Sequence, residues 1–224
     1  IEHTKYELIE ALPPDGLAAF LDDGDIVTRL YRQTSGKEKL LAGPEGSDAW
    51  ATDVRVSQEG SHFLLHLGDW EPIPCDTRLL GEHNIRNILL SAAVARRLGL
   101  SRAEIARGVA ALQPVEHRLQ LLRSAGGITV IDDAFNTNPR SSRAALDVLS
   151  SFSGRRVIVT PGMVELGKDE EKYNRKFGEY MAGKVDLAVL VGKKHTQPIL
   201  DGLLAKLATK AMPTQMIKTD RVTV

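Results

Sequence analysis

The hydrophobic pattern of the chain predicts a helix, a strand and then a sheet in its first third. Residues 3–12 have apolar side chains at mixed helical spacing, and the Pro/Gly cluster at 13–16 predicts a stop and a turn. A short apolar run at 17–21 predicts a buried strand, with a helix after it. Between 50 and 75, apolar residues recur at every second position on both sides of a polar turn at 58–61, which indicates an antiparallel sheet.

Two further helices are expected after this sheet. Residues 82–98 have apolar side chains on one face at helical spacing, and Gly99 follows them. Ser101, with Glu104 three residues later, has the pattern of a capping box and predicts the beginning of the second helix. That helix is expected to end before Pro114.

Beyond Pro114, strands and helices alternate. The predicted segments, in order, are a strand from Ile128 to Asp133, a helix from Asn138, a strand at 157–159, a helix at 172–181, a strand at 185–191, a helix at 198–207 and a candidate strand at 215–217. Short connections between alternating elements predict a parallel, doubly wound sheet, so the fold class is α/β. The near-continuous apolar run at 185–191 predicts a strand buried on both faces. A domain boundary is expected near 114–118, which gives domains of 1–114 and 115–224.

Composition and charge narrow the class of protein. The 224 residues contain 29 basic and 29 acidic side chains, so a polybasic nucleic-acid binder is not expected. No stretch approaches the roughly 18 apolar residues of a membrane span, and no signal peptide pattern is present. The lone Cys75 is expected to pack as a small apolar residue in a reducing compartment, which favours the cytoplasm. Because Ile1 is not Met and residues 219–224 resemble the start of a strand, we expect a piece of a longer protein.

The helix at 82–98 begins with a concentration of polar side chains. Asn84 and Asn87 are three residues apart and so share a helix face, and their carboxamides suit the edge of a heterocyclic base. The alternative is that His83 or Asn84 caps the helix while the other polar groups are solvated. The spacing alone favours this alternative.

Three further positions are candidates for ligand binding. Arg118 follows the expected domain boundary, where its planar guanidinium can hold a phosphate, although a simple surface arginine is the commoner outcome. Asp132 and Asp133 end a predicted parallel strand, at the sheet edge where ligands bind in such folds. Glu165 lies in a loop after the next strand and is expected at the same edge. A polar strand end and a solvated loop are the alternatives for these carboxylates.

Several chemical signatures are absent from the sequence. It has no Gly-x-x-x-x-Gly-Lys-Ser/Thr phosphate loop, no Gly-x-Gly-x-x-Gly, and no CxxC or HExxH metal spacing. The six histidines are dispersed along the chain, and a structural role is the expectation for most of them.

Four segments in order, GEHNIRN, EHRLQ, IDDAFNTNPRSSRAAL and TPGMVELG, resemble the Mur ligase family. The similarity is strongest to the type that joins D-alanyl-D-alanine to a UDP-N-acetylmuramoyl-tripeptide, and it runs from about Lys5 to about Leu200. It implies the later part of a mixed-sheet central ATPase domain, followed by most of a Rossmann-like C-terminal domain. It also implies a cytoplasmic, monomeric enzyme that uses ATP and Mg²⁺ and has no nucleic-acid partner and no membrane insertion. The terminal carboxylate of the substrate would become an acyl phosphate, which the incoming amine attacks.

The resemblance also implies roles for particular residues. The matches are Asn84 and Asn87 with His83 for the adenine, Arg118 for the ATP phosphates, Asp133 for the ribose, Lys5 as a carbamate that holds magnesium, and Asn136, Asn138 and Glu165 for the substrates.

Some features depart from the family pattern. The phosphate loop, the metal-binding Glu and His, and the domain that grips UDP are missing from the 224 residues, so we expect that they alone do not hydrolyse ATP. Pro161 stands before Gly162 where the family usually has Gly-Asp, and FNTNP replaces YNANP. Another acceptor amino acid, or a non-catalytic module derived from this fold, therefore stays open as an alternative.

Overall fold

The chain divides into two compact units in a computed structural model that describes residues 2–22, 24–209 and 215–219. The first unit comprises residues 1–113 and the second residues 114–224. Within the described residues, no helix has the length and apolar character needed to cross a membrane.

The described residues of the first unit form a mixed five-stranded sheet and four helices. In chain order its elements are α1 (Glu2–Glu10), β1 (Leu17–Leu21), α2 (Asp25–Gln33), β2 (Glu38–Gly43), β3 (Ala49–Ser57), β4 (Gly60–Leu67), β5 (Ile73–Thr77), α3 (Glu82–Arg97) and α4 (Arg102–Ala111). The strand order is β1-β2-β3-β4-β5. The first three strands are parallel, and β3, β4 and β5 pair antiparallel.

The core of the first unit lies between this sheet and α3. On β4 every second side chain is fully buried, and Phe63, Leu65 and Leu67 are 0% exposed. They pack with the apolar face of α3, as the helical spacing predicted. Cys75 on β5 belongs to the same core, and burial raises the pKa of its thiol to about 11. The expectation that it packs as an apolar residue is confirmed.

Most of the predicted elements of the first unit are confirmed, including the antiparallel sheet and the capping box at Ser101. Strand β2 was not predicted. It is short, begins with two charged residues, and has no alternation of polar and apolar side chains. Its pairing with β1 over residues 38–42 stabilises it, and a pairing of that kind leaves no local signal in the sequence.

In the part of the second unit that the structure describes, there are two small sheets and three α-helices. Its elements are β6 (Gln120–Arg123), β7 (Thr129–Asp132), α5 (Pro139–Ser150), β8 (Val157–Thr160), a 3₁₀ turn (Gly167–Asp169), α6 (Glu170–Met181), β9 (Leu187–Val191), α7 (Gln197–Thr209) and β10 (Gln215–Thr219). Strands β10, β9 and β8 form a parallel sheet in that order, so the α/β class with a mixed sheet and then a parallel sheet is confirmed.

Helices α6 and α7 pack unusually closely. A Cβ on Gly178 would lie 1.9 Å from the carbonyl oxygen of Ile199, and one on Gly202 would lie 2.0 Å from that of Arg175. Both positions therefore need glycine, because any side chain would separate the helices. The close contact completes a core that includes Met181 and Leu203, each 0% exposed.

Two expectations for the second unit are wrong. Strand β7 does not join the parallel sheet; it pairs antiparallel with β6, a strand that was not predicted, through a turn that contains Gly126 and Gly127. The short turn brings neighbouring segments together and makes this local pairing available. Strand β9 is not buried on both faces, because Ala188 and Leu190 are buried while Leu187, Val189 and Val191 keep intermediate exposure.

Candidate functional site

Three polar side chains of the first unit lie at the beginning of α3. Gly81, with a φ of 86°, precedes the helix, and no side chain caps it. The alternative in which His83 or Asn84 caps the helix is therefore wrong; Asn84 Nδ2 instead donates to the carbonyl oxygen of Leu80 at 2.8 Å. Asn87 is exposed. One carboxamide is thus fixed by the backbone while the next remains accessible, and each offers donor and acceptor groups.

The other candidate side chains of this unit differ in their surroundings. Burial lowers the pKa of His83 and so favours its neutral imidazole, which can both donate and accept a hydrogen bond. Lys5 is exposed on α1. Across the described residues, no group of three or more His, Cys, Asp or Glu side chains is arranged to hold a metal ion.

In the second unit, a strained turn carries Arg118. The residues on either side of it have positive φ values, 60° at His117 and 46° at Leu119. Such values are uncommon for residues with a Cβ, and they cluster at functional sites. Leu119 is only 5% exposed, so its burial anchors one end of the turn.

Two adjacent carboxylates hold this turn. Asp132 Oδ2 lies 2.7 Å from His117 Nδ1, and Asp133 Oδ1 accepts from the backbone N–H of Leu119 at 3.2 Å. The hydrogen bond lowers the pKa of Asp132 and raises that of His117. Burial raises the pKa of Asp133. The expected placement of this pair at the end of a parallel strand is wrong, since β7 belongs to the hairpin.

The Arg118 guanidinium is held over an aromatic ring. Its carbon lies 4.2 Å from the centroid of Phe135, while Arg118 and Phe135 are both exposed. Stacking on a ring reduces the conformational freedom of the guanidinium and leaves its N–H edge available. An exposed, oriented guanidinium of this kind suits a phosphate or a carboxylate.

The two asparagines that follow have different roles in the fold. Asn138 caps α5, because its Oδ1 accepts from the backbone N–H groups of Arg140 and Ser141, each at 3.0 Å. The predicted cap with Pro139 in the first turn is confirmed. Asn136 is exposed, and its Oδ1 accepts from Thr137 N at 2.8 Å.

The loop that carries Glu165 is held by the buried side-chain amide of Asn174, a residue of α6. Asn174 is 0% exposed; its Oδ1 accepts from Met163 N at 2.8 Å and its Nδ2 donates to Met163 O at 2.9 Å. Glu165 has a φ of 62° and is exposed. The loop follows β8, so it lies at the carboxyl edge of the parallel sheet.

Apart from Lys5, which lies on α1, the predicted residues form three groups. His83, Asn84 and Asn87 share the start of α3; Arg118 and Asp133 share the strained turn, with Asn136 and Asn138 following; Glu165 lies on the loop after β8. The residues that hold these groups, His117 and Asn174, were missed. The sequence signal for His117 was its place beside Arg118, whereas an asparagine in the middle of a helix gives no comparable signal.

Two family models match this chain. The Mur ligase middle domain matches residues 1–95, and the Mur ligase glutamate ligase domain matches residues 117–221. Together they account for most of the sequence. The chain carries the middle and C-terminal domains of a Mur ligase and belongs to that family.

Individual relatives point to one branch of the family. UDP-N-acetylmuramoyl-tripeptide–D-alanyl-D-alanine ligase of Bacillus subtilis is 29% identical over 197 residues, 86% of this chain and 42% of the relative. A crystal structure of MurF from Acinetobacter baumannii matches with a TM-score of 0.82 at 25% identity, covering 96% of this chain and 51% of that one. MurF from Thermotoga maritima in complex with ADP has the same fold, with a TM-score of 0.79 at 21% identity, over 98% of this chain and 48% of that one. The chain spans about half the length, or less, of these proteins.

Proposed function

We propose that this chain forms the nucleotide-contacting and amine-presenting parts of an ATP-dependent ligase. The complete protein would join D-alanyl-D-alanine to a UDP-N-acetylmuramoyl-tripeptide in peptidoglycan precursor synthesis. Residues 1–114 would be the later part of the central ATP-binding domain, and residues 115–224 would belong to the C-terminal domain. The relatives that carry these names support the proposal.

One structural observation supports the proposal independently of the names of the relatives. The strained turn at 115–119 presents the guanidinium of Arg118 in a fixed position. The carboxylates of Asp132, the last residue of β7, and of Asp133, the residue after it, hold that turn. An arginine in the middle of a flexible surface loop would not be held by such contacts. An oriented cation at this place suits an ATP phosphate, where it offsets the negative charge that develops during phosphoryl transfer.

The remaining nucleotide contacts would come from two groups of residues. Asn84 and Asn87, with the neutral imidazole of His83, would bind the polar edge of adenine. Asp133 would contact the ribose through the oxygen that does not accept from Leu119. These assignments rest on the family match and on the donor and acceptor groups that the side chains present.

The chemistry begins with an unreactive carboxylate. Transfer of a phosphoryl group gives its oxygen a good leaving group, and the amine of the dipeptide then displaces phosphate. Arg118 would stabilise the transferring group, while Asn136, Asn138 and Glu165 would position the substrates; for Asn138 only the amide nitrogen remains available, because its oxygen caps α5.

Magnesium would accompany the nucleotide, and a carbamate on Lys5 would give it an anionic oxygen ligand. Among the described residues, no group of three or more His, Cys, Asp or Glu side chains is arranged to hold the ion. We further propose that the ligase is cytoplasmic, where ATP and the UDP-linked precursor are available, and that it acts as a monomer without a nucleic-acid partner or membrane insertion.

The test of Arg118 uses the complete ligase. Arg118→Ala should slow acyl-phosphate formation at saturating ATP, measured by rapid quench, by about 100-fold or more, the usual effect of removing a group that stabilises transition-state charge. Arg123→Ala removes an exposed arginine at the end of β6, the strand that follows the turn of Arg118, and should leave the rate unchanged. Equal rates in the wild-type and Arg118→Ala proteins would refute the assigned role.

A second candidate is a ligase of the same family with another acceptor. This candidate is supported by the loop after β8, where Pro161-Gly162 stand in place of the Gly-Asp of the family pattern in the same loop as Glu165. Competition between labelled D-alanyl-D-alanine and single amino acids in the complete ligase separates the two. Preferential incorporation of a single amino acid would overturn the dipeptide assignment.

A further inference from the structure

A histidine and a glutamate form a close pair at the carboxyl edge of the parallel sheet. His195 Nδ1 lies 2.7 Å from Glu170 Oε1, and the two side chains are 26% and 27% exposed. His195 lies in the loop between β9 and α7, and Glu170 is the first residue of α6. Because β8 and β9 are parallel neighbours, this loop and the loop of Glu165 leave the sheet at the same edge.

The backbone around His195 is tightly constrained. A Cβ on Gly162 would lie 3.0 Å from His195 O and 3.2 Å from His195 Cβ, so the two loops are in contact. The hydroxyl of Thr196, which is 0% exposed, donates to the carbonyl oxygen of Gly192 within the same loop. The imidazole is therefore presented from a fixed backbone, and about a quarter of its surface remains accessible.

The pair also sets the orientation of the ring. Glu170 lies in the first turn of α6, where the partial positive charge of the helix amino terminus stabilises a carboxylate. A carboxylate accepts the Nδ1–H of a neutral imidazole, so the lone pair of that imidazole is on Nε2. A base oriented by a third group is a recurring arrangement in acyl transfer.

We propose that His195, oriented by Glu170, accepts the proton of the incoming amine, an inference that rests on the proposed ligase function. The lone pair of the amine nitrogen forms the new C–N bond, and the C–O bond to phosphate breaks with its electrons leaving on phosphate. The exposed Glu165, on the neighbouring loop, would attract the dipeptide while its nitrogen is still an ammonium. That ammonium gives one proton to Nε2 of His195, which frees the lone pair for attack, and the second proton that the nitrogen loses as the amide forms goes to the departing phosphate.

Other described histidines lack this combination of features. His62 also pairs with a carboxylate, Asp76 at 2.9 Å, but it lies within β4 and not at the carboxyl end of a parallel strand. His117 is engaged in holding the turn of Arg118. The charged groups near His195 in sequence are Lys193 and Lys194 on its own loop, and Glu170 faces it from α6.

The experiment separates amine attack from phosphoryl transfer in the complete ligase. His195→Ala should lower kcat for amide formation with D-alanyl-D-alanine by about 100-fold or more, as expected for loss of a proton acceptor. Hydroxylamine is unprotonated at neutral pH and traps acyl phosphates directly, so the rate of hydroxamate formation should stay at the wild-type level. Imidazole in the buffer should restore part of the amide-forming activity. Glu170→Gln keeps a hydrogen-bonding group and should give an intermediate loss, and His62→Ala should behave as wild type.

The outcomes distinguish the two proposals. Wild-type kcat in His195→Ala, or a parallel loss of amide and hydroxamate formation with no rescue by imidazole, would overturn the role of His195 and leave the ligase function standing. If the wild-type protein forms neither hydroxamate nor amide, the proposed ligase function itself fails, and this inference fails with it.

Discussion

The buried amide of Asn174 predicts a large and specific loss of stability. Its side chain satisfies both the backbone N–H and the backbone carbonyl of Met163, a residue that is 1% exposed. Asn174→Ala leaves two buried polar groups without these partners, at about 1–3 kcal/mol for each. A total loss of about 2–6 kcal/mol is therefore expected in the free energy of unfolding of the second unit.

Two optical probes locate this effect in the chain. Both tryptophans, Trp50 and Trp70, belong to the first unit, so tryptophan fluorescence follows that unit while far-UV circular dichroism follows both. In urea, Asn174→Ala should move a component of the dichroism transition to lower denaturant and leave the fluorescence transition in place. Asn136→Ala, which removes an exposed amide, should stay within about 0.5 kcal/mol of wild type.

A second variant tests the direction of the hydrogen bonds. Asn174→Asp keeps an acceptor for Met163 N but loses the donor for Met163 O and buries a carboxylate beside that oxygen. Its stability deficit at neutral pH should shrink as the pH falls, because the protonated carboxyl again donates. If Asn174→Ala were as stable as Asn136→Ala, or if the Asp variant showed no such pH dependence, the proposed anchoring of the loop would be refuted.

Three further predictions concern packing, titration and reactivity. Gly178→Ala should destabilise the second unit by about 1–3 kcal/mol through overpacking. Gly108 lies in α4 with open space around it, so Gly108→Ala should stabilise the first unit by about 0.5–1 kcal/mol in the same urea experiment. Equal effects of the two substitutions would contradict the close contact of α6 and α7. By NMR, the pKa of His117 should lie above 6.5 in the wild-type protein and fall towards 6.5 in Asp132→Asn. Because the pKa of His117 is raised and that of Asp132 is lowered, the pair should stabilise the fold at pH values between the two pKa values, and this stabilisation should be lost as the pH rises through the pKa of His117 or falls through that of Asp132. An unchanged His117 titration in Asp132→Asn would exclude this pairing. Cys75, with a thiol pKa of about 11 and a buried position, should react with a thiol reagent at neutral pH only after unfolding, and rapid labelling of the native chain would show that its packing is misjudged.

Local patterns predicted those elements of the fold that depend on local interactions. The helix α3, the capping box at Ser101 and the hairpin of β3 and β4 each have a signal within a few residues, either periodicity or a cap. Strand β2 depends on its pairing with β1, and β6 on a local pairing with β7; both strands are short and have no alternation of polar and apolar residues to recognise. Strand β7 was assigned to the parallel sheet because its sequence suits a parallel sheet as well as the hairpin in which it lies.

For the candidate site, motifs identified residues but not the contacts that orient them. Arg118 was a candidate by its position at the expected domain boundary, and the family resemblance implied its role, whereas its stacking on Phe135 and the positive φ values beside it depend on the tertiary structure. Asn138 was predicted both as a helix cap and as a substrate ligand, and the structure shows the capping contacts. The pair of His195 and Glu170 joins residues 25 positions apart, so neither residue stands out by itself.

The most direct test of the central claim is a product assay on the complete protein. With ATP, Mg²⁺, a UDP-N-acetylmuramoyl-tripeptide and D-alanyl-D-alanine, mass spectrometry should show the tripeptide extended by the dipeptide, with phosphate released in equal amount. The product should disappear when ATP or the dipeptide is omitted. An intact tripeptide substrate under the full set of conditions, or extension by a single amino acid in preference to the dipeptide, would contradict the account.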